Sequence, residues 1–248
     1  MVNLDMSKYS IITLEEVPST NGYAIENVSF FDDGTIIYAP HQTAGRGRYK
    51  RKWMFDETEN LYMSIVLKPD KNSFPYANLT QYLSVVLCKF LEKNFDLTPE
   101  IKWPNDILVN GAKISGILAE SCMQNNQIKA VILGLGLNVN LQRHTIEKID
   151  QKATSLSVLK GQNFDCENIL RGICDIFFES YDEFAGKGFA FIKEDYIERC
   201  GFLGKNITIR EDEIKKNYFA KAIDDEGLLI VNDEFNNECK IITGDVLC

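Results

Sequence analysis

Between Ile107 and Leu137 the chain carries the pattern of a sheet. An apolar run, Ile107–Val109, is followed by Asn110-Gly111 and a second run from Lys113 to Glu120. Asn-Gly accepts positive φ at both central turn positions, so the pair closes a β-hairpin whose twist suits its strands. A second reversal at Gln124-Asn125-Asn126 leads into Gln127–Leu137, a run rich in Val, Ile and Leu. Sheet surface of this kind needs a cover, and two segments with helical period supply it. Asn78–Phe95 places Leu79, Tyr82, Leu83, Val86, Leu87, Phe90 and Leu91 on one stripe. Glu167–Phe184 does the same with Ile169, Leu170, Ile173, Ile176, Phe177 and Phe178. Thr35–Ala39 and Asn60–Leu67 add strands, and Ala190–Cys200 a shorter helix.

After Gly201 the rhythm changes. Short strands at Ile207–Ile209, Tyr218–Ile223, Leu228–Val231 and Lys240–Ile242 alternate with charged turns such as Asp224–Gly227. The whole reads as an α+β chain with a domain over residues 1–200. A small β-barrel over 201–248 follows, too small to be very stable alone.

Composition limits the function classes. The 248 residues carry 27 basic and 36 acidic side chains, a net charge of −9, opposite in sign to a protein living on duplex DNA. Met1–Ser10 lacks the basic-then-apolar pattern of a signal peptide, and Ala130–Leu137 is too short to span a bilayer. The expectation is a cytoplasmic protein. Its seven cysteines form no C-x-x-C pair and read as reduced thiols. With two histidines about a hundred positions apart and no zinc spacing, no structural metal site is expected.

Four segments carry chemistry. In Gly45-Arg46-Gly47-Arg48-Tyr49-Lys50-Arg51-Lys52-Trp53, five of the seven residues from 46 to 52 are basic. Glycines let backbone approach an anion and arginines grip phosphate or carboxylate in bidentate fashion. A solvated loop or a nucleic-acid patch would show the same run. It is neither a P-loop nor a dinucleotide fingerprint. Lys102-Trp103-Pro104-Asn105-Asp106 places turn-prone polar residues at the hairpin entrance, as a simple turn would. Lys113, just past the Asn-Gly turn, enters a strand that can fix its ammonium, or can merely snorkel from it. Gly116 lies on the same strand. Gly134 and Gly136 lie in a buried strand, so something packs against the backbone there, a ligand or a helix.

The order and spacing of Ser19-Thr20-Asn21, His41-Gln42-Thr43-Ala44-Gly45-Arg46-Gly47-Arg48, Lys102–Asp106, Lys113-x-x-Gly116-Ile117-Leu118-x-Glu120 and Gly134-x-Gly136-x-Asn138-Val139-Asn140 resemble the catalytic domain of the biotin protein ligase family. The resemblance implies a mixed β-sheet with packed helices, class II synthetase-like, and an SH3-like C-terminal barrel. It implies a reaction in which biotin and MgATP give biotinyl-5′-adenylate and pyrophosphate. The acyl group then passes to a lysine of a biotin carboxyl carrier domain. By carry-over, Ser19, Thr20, Asn21 and Gln42 line the head-group end, with Gly116 and Gly134 as close backbone walls. Arg46 and Arg48 hold carboxylate and phosphates, Gly45 and Gly47 of the same loop belong to the binding set, and Lys113 stabilises charge built during adenylation. Asp106 orients the incoming amine or the nucleotide, Asn138 belongs to the binding set, and Trp53 and Trp103 pack near the adenylate and loop base or, equally, in the ordinary core.

No protein nucleophile is required, in keeping with the missing G-x-S-x-G elbow and Cys/His pair. Residues 45–53 and 141–152 are expected to close over the labile adenylate. One departure is Lys50, where the family's loop usually has glycine. Another is Ser19, too near the start to leave room for a helix-turn-helix domain, so operator binding is not expected. Monomer and homodimer both remain open. Lipoate or octanoate protein ligase, sharing fold and chemistry, is the nearest rival. A nucleic-acid-binding protein using residues 46–52 is the rival of another class.

Overall fold

The computed structural model describes residues 8–69, 74–125, 127–211 and 214–247, with Lys50 as backbone alone. Met1–Ser7, Asn126 of the second turn and Cys248 therefore lie outside the described residues.

In chain order the elements begin with β1 (Ser10–Thr13), β2 (Glu16–Val17), α1 (Thr20–Glu26), β3 (Thr35–Ala39), β4 (His41–Gln42) and β5 (Leu61–Leu67). There follow α2 (Leu79–Phe95), β6 (Pro99–Lys102), β7 (Asp106–Val109), β8 (Ala112–Gln124) and β9 (Gln127–Leu137). Four helices come next: α3 (Arg143–Ile146), α4 (Leu156–Lys160), α5 (Cys166–Lys187) and α6 (Phe189–Glu198). The chain ends with β10 (Asn206–Glu211), β11 (Ile214–Ile223), β12 (Leu229–Asn232), β13 (Glu238–Ile241) and β14 (Asp245–Leu247).

Seven strands form one sheet in the order β1-β3-β5-β9-β8-β7-β6. Only β1 and β3 run parallel, so the sheet is mixed, as expected. The Asn110-Gly111 turn has φ of 53° and 69°, the two positive values its sequence allows. Strand alternation divides the apolar side chains between two faces. Ile36, Ile65, Leu133 and Leu135 join the main core with α2 and α5, whereas Ile37, Val66 and Ile132 pack with Ala24 of α1. Ser19 caps α1, its hydroxyl accepting from the Gly22 N–H at 3.2 Å.

The second sheet has the order β13-β12-β11-β10-β14. This is the expected small SH3-like unit, but among the described residues β13 and β14 do not pair, so it is an open antiparallel sheet. The physical reason is that its apolar side chains need no closure. Ile209, Ala220, Val231 and Val246 belong to the same continuous core as Trp103 and α2. Polar contacts fasten the seam: Gln81 Nε2 donates to Gly227 O at 2.7 Å and Asn78 Nδ2 to Glu226 O at 2.9 Å. β14, absent from the sequence reading, pairs with β10 and carries Asp245 to the mouth of the site described next.

Among the described cysteines, Cys88, Cys166, Cys174 and Cys200 are buried and unpaired. Burial pushes the Cys166 thiol up to about 12.

Candidate active site

A cavity of about 730 Å3 lies beside the N-terminus of α1, roofed by residues 46–54 and bounded at its far rim by Arg210, Asp245 and Leu247 of the second sheet. It gathers Ser19, Thr20, Asn21, Gln42, Arg46, Gly47, Arg48, Trp53, Asp106, Lys113, Gly116 and Gly134. The separate segments singled out in the sequence thus converge on one space.

One end is neutral and buried. Thr20, Asn21 and Gln42 are 3%, 5% and 8% exposed. The Thr20 N–H donates to Gln42 Oε1 at 2.9 Å, so the Gln42 amide is oriented by backbone. Asn21 Nδ2 donates to Glu120 Oε2 at 2.8 Å and to Leu118 O at 3.2 Å. The Ser64 hydroxyl stands 2.6 Å from Asn21 Oδ1 and 2.8 Å from Thr20 Oγ1. Buried polar groups connected in this way hold fixed donor and acceptor directions. Asn21 approaches β9 so closely that a Cβ on Gly134 would meet its Oδ1 at 2.2 Å.

The other end is cationic. Arg46, Arg48, Arg51, Lys52, Lys102, Lys113, Lys148, Lys152 and Arg210 line it, against Asp106, Asp150 and Asp245. A chain of net charge −9 therefore concentrates positive charge in one cleft, which focuses its field on an anion. Lys113 Nζ lies 2.8 Å from Asp106 Oδ1 and 5.1 Å from the centroid of the Trp53 ring. Lys102 Nζ approaches the other Asp106 oxygen at 3.8 Å. Asp106 thus stands between two ammonium groups. The Lys113 backbone is strapped in place: its N–H donates to Lys152 O and its carbonyl accepts from the Thr154 N–H, both at 2.9 Å.

Trp53 joins the two ends. Gly116 and Gly136 face each other across β8 and β9, and a Cβ on them would sit 2.8 Å and 3.0 Å from the indole. The glycines make room for this side chain as well as lining the cavity. The loop that carries Trp53 is closed at its base by Trp53 N–H to Gly45 O at 2.9 Å and nearer its tip by Gly47 N–H to Arg51 O at 2.8 Å. Arg46 Nη2 reaches Glu120 at 3.6 Å.

Three predicted residues are not on the cavity wall. Trp103 is buried in the main core, against the second sheet, and not beside the cavity. Gly45 is packed behind the loop, where a Cβ would meet Gln42 Nε2 at 2.4 Å. Asn138 is buried and donates to Thr154 O at 3.0 Å, supporting the strap on Lys113. Ser64, Lys148, Lys152, Arg210 and Asp245 are site residues that no sequence motif marks, and Lys102, Asn105 and Glu120 lie in the motifs with no role that the motifs assign. Ser64 carried a signal: it is the one small polar residue inside an otherwise apolar and aromatic buried strand, Leu61–Leu67. Asn105 Nδ2 donates to Ile117 O at 2.8 Å and anchors the turn before β7 to β8.

A model of the biotin/lipoate A/B protein ligase family matches residues 14–138, half of the chain. The chain belongs to this family. Among its relatives, the bifunctional ligase/repressor BirA of Bacillus spizizenii is 34% identical over 220 residues, covering 86% of this chain and 66% of that protein. The chain thus spans just under two thirds of the length of that relative. The biotin--[acetyl-CoA-carboxylase] ligase of Paracoccus denitrificans is 29% identical over 222 residues, covering 88% of this chain and 92% of that protein. The biotin protein ligase from Aquifex aeolicus, solved in complex with biotin and ATP, superposes with a TM-score of 0.80. It is 28% identical and covers 96% of this chain and 97% of that one. The family's matched span includes α1, the basic loop, Lys113 and the glycines of β9, the elements that build the cavity. Among the described residues no helix is long and apolar enough to cross a membrane.

Proposed function

We propose that this family member joins biotin to ATP in the cavity and passes the biotinyl group to a lysine of a biotin carboxyl carrier domain. The observation that carries the reading is the pairing, in one cavity, of a buried neutral polar end with a cationic end. A ureido head is neutral and needs fixed donors and acceptors, which Thr20, Asn21 and Gln42 present. A carboxylate beside a triphosphate needs cations, which Lys113 and the 46–52 loop present.

The chemistry uses direct displacements. The biotin carboxylate oxygen attacks the α-phosphorus, the bond to the bridging oxygen breaks, and pyrophosphate leaves. The carrier's neutral lysine amine then attacks the acyl carbon. The acyl–oxygen bond breaks, AMP leaves, and the amine loses its proton. Lys113 stabilises negative charge at the reacting oxygens. Arg46 and Arg48 hold the phosphates. Asp106, fixed between Lys102 and Lys113, orients the nucleotide or the amine. Magnesium enters with the nucleotide as MgATP. Among the described residues no group of three or more His, Cys, Asp or Glu side chains offers it a protein site.

Residues 1–200 form the catalytic unit in this reading and 201–248 the SH3-like one, in a cytoplasmic protein that acts as monomer or homodimer. Lipoate or octanoate fits the cationic end as well. Their acyl tails have no ureido to engage the network around Asn21, which favours biotin.

The test is incubation of the chain with labelled biotin, MgATP and a carrier domain. Label on the carrier that depends on ATP is the expected result. Label from lipoate or octanoate but not from biotin would overturn the choice of acid.

A further inference from the structure

The tip of the basic loop does not float. It sits on the Thr243–Asp245 segment of the second sheet, nearly two hundred residues away in sequence. Arg48 Nη1 donates to Gly244 O at 2.9 Å and to Asp245 Oδ1 at 3.0 Å. Arg51 is ion-paired to Asp245 Oδ2, and Arg210, the cross-strand partner of Asp245 on β10, approaches the same oxygen at 3.4 Å. One carboxylate, its residue only 9% exposed, gathers three guanidinium groups, two from the basic loop and one from the second sheet. Arg210 Nε is buried without a hydrogen-bond partner.

A second contact fixes the same seat. Tyr49 adopts φ of 54°, a left-handed conformation that an aromatic residue rarely takes. Its hydroxyl lies 3.0 Å from Thr243 Oγ1, and the Arg48 and Arg51 guanidinium carbons lie 5.1 Å and 5.3 Å from its ring centroid.

We propose that Asp245 is a positioning residue for adenylation, holding Arg48, Arg51 and Arg210 together as the wall that receives the nucleotide's phosphates. The inference rests on the reading that the cavity takes a nucleotide. Three guanidinium groups repel one another, and each long side chain loses rotamer freedom when fixed. A single shared carboxylate opposes both effects while leaving two positive charges in excess for the ligand. Through it the second sheet takes part in the reaction, although the motifs of the sequence all lie before residue 141.

The test is biotin-dependent exchange of pyrophosphate into ATP, with titration calorimetry of biotin and a melting curve for each variant. Asp245→Asn keeps shape and removes charge. Its KM for ATP is expected to rise about tenfold with kcat changed less than about threefold, as for loss of a charge contact outside the reacting atoms. Biotin affinity and melting temperature are expected to hold, and Asp245→Glu to recover most of the KM. An unchanged or lowered KM for ATP overturns the inference. So does a rise accompanied by equal losses in biotin affinity and melting temperature. Tyr49→Phe, which alters no charge, is expected to raise the KM about twofold and serves if Asp245→Asn does not fold. No exchange by the unmodified chain sinks the nucleotide reading and this inference together. Exchange that is indifferent to Asp245 sinks the inference alone.

Discussion

At the neutral end of the cavity Thr20, Asn21 and Gln42 are no more than 8% exposed; Thr20 bonds Gln42 directly, Ser64 bridges Thr20 and Asn21, and Glu120 anchors Asn21. At the cationic end the Arg46 and Arg51 side chains each keep 48% of their exposure. The neutral end relies on fixed directions, since an uncharged head-group offers no field to follow. The cationic end relies on charge, which attracts from a distance and tolerates side-chain movement. One end should therefore respond to the loss of single hydrogen bonds and ignore salt. The other should respond to salt and to lost charges.

The largest effect separating the two ends is expected at Lys113. Lys113→Ala should slow adenylate formation roughly a hundredfold or more in single-turnover experiments, the usual range for removing a preorganised charge stabiliser. Biotin affinity, which also rests on the buried ureido contacts, should fall far less; a matching loss there would erase the division of labour. Asn21→Ala should act on the other side. Removing one member of the buried network takes a hydrogen-bond partner from both Glu120 and Ser64, so biotin binding should weaken by about 2 kcal/mol, read by calorimetry. ATP binding should not follow. Arg48→Ala should release biotinyl adenylate about tenfold faster in a trapping assay, since it removes anion contacts. Raising salt from about 50 mM to about 500 mM should weaken ATP binding severalfold and leave biotin binding nearly flat.

The smallest effect comes from a carboxylate outside both ends. Burial pushes Asp56 up, but hydrogen bonds from Thr58, Gln142 and Thr145 outweigh this and hold it below the ordinary carboxylate range. A lowered folded pKa contributes stability that is complete above the unfolded value and is lost as pH falls through the folded one. Asp56→Asn should therefore lower the melting temperature at neutral pH, by a margin that shrinks below about pH 4. Neither ligand's affinity should change.

Much of the larger sheet was legible because its signals are local. Asn110-Gly111 names its own turn, and the stripes of α2 and α5 need only their own residues. The four motif segments were legible as chemistry, but their assembly depends on register. Glu120 reaches Asn21 only because β8 and β9 bring its face beneath α1. Asp245 gave no local sign, since its partners Arg48 and Arg51 lie at the other end of the chain. The open edge of the SH3-like sheet was illegible for a related reason. Short alternating strands announce a small sheet, yet whether its edges meet depends on what covers its apolar face. Here the core around Trp103 and α2 does so.

The most direct test of the account is a crystal structure of the chain with biotin and a non-hydrolysable ATP analogue. The ureido ring should lie against Thr20, Asn21 and Gln42, the triphosphate along Arg46–Arg51, and the Lys113 ammonium beside the carboxylate. Either molecule bound outside this cavity, or biotin reversed with its ring among the arginines, would contradict it.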